Sequence, residues 1–422
     1  MTRIEGFALW AEDSPVSGES SRIGSLNAAK SVRQPHKWIR GTFEIRDGKI
    51  YKCDSNINIA EDDAGDTVPN GCAAASNSSA DSAPSAGSDD RPGLGDSEAS
   101  VRTRWIIPGM VDVHCHIGLG KSGAVEGEDM LAKAHQDRDS GVLLVRDCGI
   151  PGDNSWISGR PDGLTILRAG RHIAKPKRYI RGYALEIEDS QLPETMAEHA
   201  RWSDGWVKIV GDWIDRSNGV DSDLDPLWST SALKEGVAAA HEEGARVTVH
   251  TFSRKAIDGL LEAGVDCIEH GTGMTPDHIQ EAAAQGIAIT PTLMQVSLFP
   301  SFSAAAGAKY PVYASTMAKL WAHHEDTLQR FLDAGIQLLP GTDAGGYQAH
   351  GQLAKELGMW TSMGLSAEEI IDLATWRARE YLGMPGLSDG ADADLVVLDR
   401  DPRDDISVLE HPTAVYYRGQ VR

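Results

Sequence analysis

His114 and His116 stand one residue apart at the end of an apolar run, Pro108-Gly109-Met110-Val111-Asp112-Val113-His114-Cys115-His116. In a β-strand, residues i and i+2 face the same way, so both imidazoles can reach one metal ion at the strand's C-terminal end. Pro108-Gly109 suits a tight turn into that strand. A His-x-His pair is by itself only moderately specific, because surface pairs share the spacing. Four further polar side chains close or interrupt similar apolar runs: Lys208 in Trp206-Val207-Lys208-Ile209-Val210, His250 after Val247-Thr248-Val249, His270 after Cys267-Ile268-Glu269, and Asp343 in Gly341-Thr342-Asp343-Ala344-Gly345. Imidazole and carboxylate donors suit zinc or a similar divalent ion.

Each residue also has a plain structural reading. A histidine closing an apolar strand can cap the sheet through a backbone hydrogen bond, and a strand-end lysine can snorkel its ammonium to water. Four imidazoles and a carboxylate at C-terminal strand ends are together what a metal centre requires. Lys208 is the most discriminating residue after the histidine pair. Between Val207 and Ile209 it would bury an ammonium beside divalent cations, at severe electrostatic cost. A carbamate formed with carbon dioxide removes that cost and leaves a bidentate anion able to bridge two metals.

These residues need a frame that brings strand ends together. From about residue 105 to 385, eight apolar strand-like runs alternate with helical patterns: Ile106 to His114, Val142 to Asp147, Leu164 to Ala169, Trp206 to Val210, Ala245 to His250, Asp266 to His270, Ile287 to Pro291, and Gln337 to Asp343. Ser253 to Ala263 sets Ala256, Ile257, Leu260 and Leu261 on one helix face, and Thr275-Pro276 reads as an N-cap followed by a first-turn proline. Eight such units predict an α/β protein built on a closed (β/α)8 TIM barrel, with chemistry at the C-terminal strand ends. Residues 38 to 52 read as a hairpin around Asp47-Gly48. Ala393 to Asp399 and Thr413 to Gly419 read as further strands, so both chain ends predict one small β-sandwich domain. The expected division is 1–104 for the N-terminal part of that domain, 105–385 for the barrel, and 386–422 for the C-terminal part.

The 422-residue length accommodates this plan. The formal charge of −22 repels phosphate backbones and anionic lipid, which excludes nucleic acid as a partner. Acidity gathers partly in residues 60–100, a Ser-, Gly-, Ala-, Asp- and Pro-rich stretch that reads as a low-complexity, solvated insertion. Cys53, Cys72, Cys115, Cys148 and Cys267 are scattered, without a Cys-x-x-Cys pair, so a disulfide framework is not expected and a reducing cytoplasm is. No export signal or membrane span is expected.

The motifs VDVHCH at His114 and His116, VKIV at Lys208, VTVH at His250, CIEHGT at His270, GTDAG at Asp343 and the tail DADLVVLDRDPRDDI resemble the amidohydrolase superfamily, in its imidazolonepropionase-related and Xaa-Pro-dipeptidase-like branch. The resemblance covers nearly the whole chain. It implies one metal held by His114, His116 and Asp343, a second by His250 and His270, and carboxylated Lys208 between them, with two zinc ions per chain. It further implies hydrolysis of a C–N bond in a small-molecule amide, cyclic amide or dipeptide by a metal-bridging hydroxide, with Asp343 as catalytic proton shuttle. Two alternatives stay open: a mononuclear imidazolonepropionase-like or deaminase-like enzyme with Lys208 unmodified, and a non-catalytic scaffold, which would be expected to have lost ligands that are all present here. A homo-oligomeric state also stays open. Relatives place a substrate-contacting histidine after the third strand, which points loosely to His172 in Ala169-Gly170-Arg171-His172; its neighbours Arg171, Lys175, Arg181 and Tyr183 read equally well as surface residues. Trp228, after the fourth strand, is a weaker candidate for the substrate pocket, since packing is the commoner fate of tryptophan.

Overall fold

The computed structural model describes residues 1–11, 36–53 and 103–422. The expected insertion at 60–100 lies outside the described residues, as does Cys72. Eight strand positions close into a ring. Met110–Cys115 pairs in parallel with Val142–Asp147, which pairs with Thr165–Arg168. Trp206–Val210, Arg246–Thr251, Cys267–His270 and Ala288–Thr290 follow one another in parallel register. The two arcs meet on one side where Asp204 N–H donates to Arg168 O at 2.9 Å. On the other side residues 337–344 join them, bridging Ile289 through Leu338 and Cys115 through Ala344.

That eighth position was expected as a strand over Gln337 to Asp343, but it forms isolated bridges rather than a ladder. Pro340 brings no N–H to a ladder. Its carbonyl accepts Val113 N–H at 2.9 Å, and Asp343 N–H donates to His114 O at 2.7 Å. Gly341 allows this close approach, because a Cβ there would lie 2.7 Å from His114 Cβ and 2.6 Å from Thr290 Cγ2.

The run Ile106 to His114, expected as one strand, is divided. Arg104–Pro108 pairs with Thr2–Leu9 and with Leu395–Leu398 in the terminal sheet, whereas Met110–Cys115 enters the barrel. The change of partners falls at Gly109, whose N–H donates to Asp394 O at 2.9 Å while the next N–H, of Met110, turns to Gly141 O. A Cβ at Gly109 would meet Leu143 at 2.6 Å.

Both chain ends share one seven-stranded sheet, in the order Gln420–Val421, Ala414–Tyr417, Leu395–Leu398, Arg104–Pro108, Thr2–Leu9, Trp38–Arg46, Lys49–Cys53. The last two strands are the expected hairpin. Asp47 and Gly48 both take positive φ, as a two-residue turn matched to strand twist requires. The expected cap at Thr275 is also present, accepting His278 N–H ahead of Pro276–Gln285, and Ser253 accepts Lys255 N–H ahead of Arg254–Ala263. Val113, Leu144, Trp206, Cys267, Ala288 and Leu339 pack into one buried cluster drawn from strands all around the ring. Among the described residues, no helix is long and apolar enough to cross a membrane.

The tight seat at Gly341 makes a direct prediction. Gly341→Ala should cost about 1–3 kcal/mol through overpacking against His114 and Thr290. Urea unfolding measures this, and an unchanged midpoint would show that the eighth segment is not packed so closely on the first strand.

Candidate metal centre

The strand ends bring five of the six expected side chains into two touching groups. His114 Nε2 and His116 Nε2 each lie 3.2 Å from Asp343 Oδ1. The ligand atoms of these three residues all fall within 4.8 Å of one another. His270 Nε2 faces His250 Nδ1 at 3.0 Å. The two groups are joined through His114, whose ring lies 5.3 Å from that of His270. Lys208, the sixth residue, is fully buried and paired with Glu269 Oε2, an oxygen that also sits 3.6 Å from His114 Nε2.

Local backbone geometry aims these groups. His270 and Asp343 both adopt left-handed φ, where a non-glycine residue is strained by about 1–3 kcal/mol. The turns rotate each side chain inward at the end of its strand. Asp112 supports the Asp343 side, accepting His114 N–H at 3.0 Å, Thr342 N–H at 3.2 Å and the Thr342 hydroxyl at 2.6 Å. Burial, reinforced by Asp137, raises the Asp112 carboxyl to about 7. Asp212 supports the His250 side by accepting N–H groups of Phe252 and Ser253 and the Thr251 hydroxyl; burial raises it to about 6.

The electrostatics favour neutral imidazoles and charged carboxylates. Burial lowers the pKa of His114, lowers that of His250 far below its ordinary value, and takes His270 down to about 3. Their nitrogen lone pairs are therefore available at neutral pH. Burial opposes charge on Asp343, yet His114 and His116 hold its carboxyl well below the usual range. Glu269 behaves likewise, with His114, Lys208 and Arg146 outweighing its burial.

This donor set fits a divalent cation. Neutral imidazoles and ionised carboxylates converge, two ring nitrogens face each other at 3.0 Å, and His250 Nε2 is buried without a hydrogen-bond partner. His116 Nδ1 lies 3.4 Å from Gly149 O, and its Nε2 faces Asp343. A second group whose ligand atoms converge is His114, Glu269 and His270.

Glu269 was missed in the sequence. The signal was available, since an acid inside Cys267-Ile268-Glu269-His270 is as costly to bury as Lys208 is in its own strand. Thr248 also donates to Glu269, at 2.7 Å, and Arg146 reaches Thr248 and the Val113 carbonyl from within the barrel.

His172 stands at the cluster, its ring stacked on His116 at 4.9 Å, and both of its nitrogens are buried without a hydrogen-bond partner. Tyr183, read as equally suited to the surface, is buried and edge-on to His172 at 5.1 Å. Tyr179 and Trp213 were not singled out, and both pack on His250, at 5.5 and 5.6 Å. Trp228 is buried, its indole N–H donates to Val210 O at 2.8 Å, and Lys175 lies over its ring.

Residues 105–422 match the Amidohydrolase family, and the chain belongs to it. It is accordingly a hydrolase acting on carbon–nitrogen bonds, in a family that generally uses divalent metals. An uncharacterized protein of Mycobacterium tuberculosis is 50% identical over 317 residues, covering 75% of this chain and 85% of its own length. Ochratoxinase of Aspergillus niger is 27% identical over 376 residues, with 76% of each chain covered. The crystal structure of a Xaa-Pro dipeptidase with bound methionine is similar at a TM-score of 0.63 and 25% identity, covering 79% of this chain and 90% of that one.

The buried pair gives a measurable consequence. In metal-free protein, Glu269→Gln should lower stability by about 3–5 kcal/mol, because it strands the Lys208 ammonium. Combining Lys208→Met with Glu269→Leu should recover most of that loss. Equal urea midpoints for wild type and Glu269→Gln would show that the two residues are not paired.

Proposed function

We propose that the chain is a binuclear metal-dependent amidohydrolase. His114, His116 and Asp343 would hold one ion, His250 and His270 a second, and Lys208, carrying a carbon dioxide-derived carbamate, would join them. The observation that carries this reading is the placement of both His114 and His116 Nε2 at 3.2 Å from Asp343 Oδ1, with a fully buried Lys208 beside them. Zinc suits the donors. When bound, such ions acidify water and polarise a carbonyl oxygen.

The chain's own groups supply the rest. Asp343 keeps one oxygen toward the two imidazoles, and its second oxygen takes the proton of the attacking water and returns it to the departing amine nitrogen. At 16% exposure its side chain is the most accessible of the ligand set, as a proton shuttle between water and substrate must be. His172, kept neutral by burial, presents ring nitrogens with no protein partner and is a candidate contact for a substrate carbonyl or carboxylate. The aromatic walls of Tyr179, Trp213 and Phe252 exclude water around His250. A dipeptide, an N-acyl amino acid or a cyclic amide fits this chemistry, and the likeness to a Xaa-Pro dipeptidase supports the first.

One observation favours a second reading. Lys208 already has a counter-charge in Glu269, so an unmodified lysine and a mononuclear centre at His114, His116 and Asp343 form a self-consistent arrangement.

Metal analysis separates the two. The binuclear reading expects about two zinc-like ions per chain, with Lys208→Ala inactive and partly rescued by short carboxylic acids plus metal. One tightly bound ion and an unchanged Lys208→Ala enzyme would establish the mononuclear form. Asp343→Asn should fold but lose turnover by several orders of magnitude, whichever form holds. A hydrolysis screen over dipeptides, N-acyl amino acids, hydantoin-like rings and lactones, with metal-loaded protein, identifies the substrate class.

A further inference from the structure

His270 reaches the cluster with one ring nitrogen and touches a hydroxyl with the other. Its Nδ1 lies 2.6 Å from Thr292 Oγ1. The Thr292 hydroxyl has one proton, and it donates that proton to Pro291 O at 2.8 Å. Toward His270 the oxygen can therefore only accept, so the proton of that contact must belong to Nδ1. A neutral imidazole protonated at Nδ1 carries its lone pair at Nε2, the nitrogen that faces His250.

Thr292 is held in place for this task. It is fully buried and adopts a left-handed backbone conformation, which a β-branched residue takes only when its surroundings impose it. The imposing group is Glu356, in the helix Leu353–Trp360. Its fully buried carboxylate accepts the two N–H groups that follow Thr292, Leu293 at 2.7 Å and Met294 at 2.8 Å. Trp360 donates its indole N–H to the same carboxylate at 3.0 Å. Neither Thr292 nor Glu356 belongs to the ligand set.

We propose that Thr292, clamped by Glu356, is a positioning residue that fixes His270 in its Nδ1–H form and presents Nε2 as the lone pair facing His250. The consequence for metal affinity rests on the two-ion reading above, whereas the tautomer itself does not.

The test is histidine nitrogen-15 NMR on the metal-free full chain at neutral pH, with the His270 signals assigned through His270→Gln. Wild type and Thr292→Ser should show the Nδ1–H form, and Thr292→Val should shift toward Nε2–H. In parallel, chelator competition should show zinc at the more weakly held position bound about 10–100-fold less tightly in Thr292→Val, with Thr292→Ser near wild type. Wild-type His270 in the Nε2–H form overturns the proposal, even if Thr292→Val fails to fold. An unchanged tautomer in folded Thr292→Val does the same. A wild type with the expected tautomer that binds a single ion refutes the two-ion reading and leaves the role of Thr292 standing.

Discussion

The hydrogen bond from Asp343 N–H to His114 O, at 2.7 Å, is where barrel closure and site assembly coincide. The eighth segment has no regular ladder to hold it, and this bond, with Val113 N–H to Pro340 O, docks it on the first strand. The same docking sets the Asp343 carboxylate beside both imidazoles. Gly341 makes the approach sterically feasible, and buried Asp112 ties Thr342 to the backbone of His114. A shift of the segment would therefore open the ring and separate the ligands together. The strained backbone at His270, Thr292 and Asp343 is tolerable because buried hydrogen bonds surround each turn.

Beneath this rim the barrel is not simply apolar. Lys208, Glu269, Thr248 and Arg146 form a buried polar layer, in which Lys208 pairs with Glu269 and Arg146 donates to Thr248 and to Val113 O, while Val113, Leu144, Trp206 and Leu339 fill the space around it. Arg146 also lies over the Trp206 ring at 4.3 Å, which spreads its charge over an aromatic face. Burying four such groups is costly unless all are satisfied together. That cost gives the layer a specific rather than a merely stabilising character. Lys208 sits in this layer as an ammonium paired with Glu269.

The local patterns were legible because they are local. The Asp47-Gly48 turn, the Thr275 cap and the residues that end each strand follow from neighbours within a few positions. The pairing of Lys208 with Glu269, 61 positions apart, does not. Glu269 was overlooked because His270 beside it offered a more familiar ligand, although its charge in an apolar strand carried the same signal. The division of Ile106 to His114 between two sheets depends on partners at Leu395–Leu398 and Val142–Asp147, and no periodicity within the run announces it. Burial in a loop is likewise decided by what lies opposite, Val210 O for Trp228 and His172 for Tyr183.

Rim and loops divide the work in a way that bears on substrate choice. The histidines that end strands keep their positions through backbone pairing. His172, Tyr179 and Tyr183 come from the loop after the third strand, Trp213 from the segment after the fourth, and Phe252 from just beyond the fifth. These side chains wall His116, His250 and His270. Loops of this kind accept replacement while the scaffold stays fixed. This chain is similar to proteins named for substrates as different as Xaa-Pro dipeptides and ochratoxin, at 25% and 27% identity. In this chain the rings of Tyr179, Trp213 and Tyr183 stand against His250 and His172 from outside the eight ring positions.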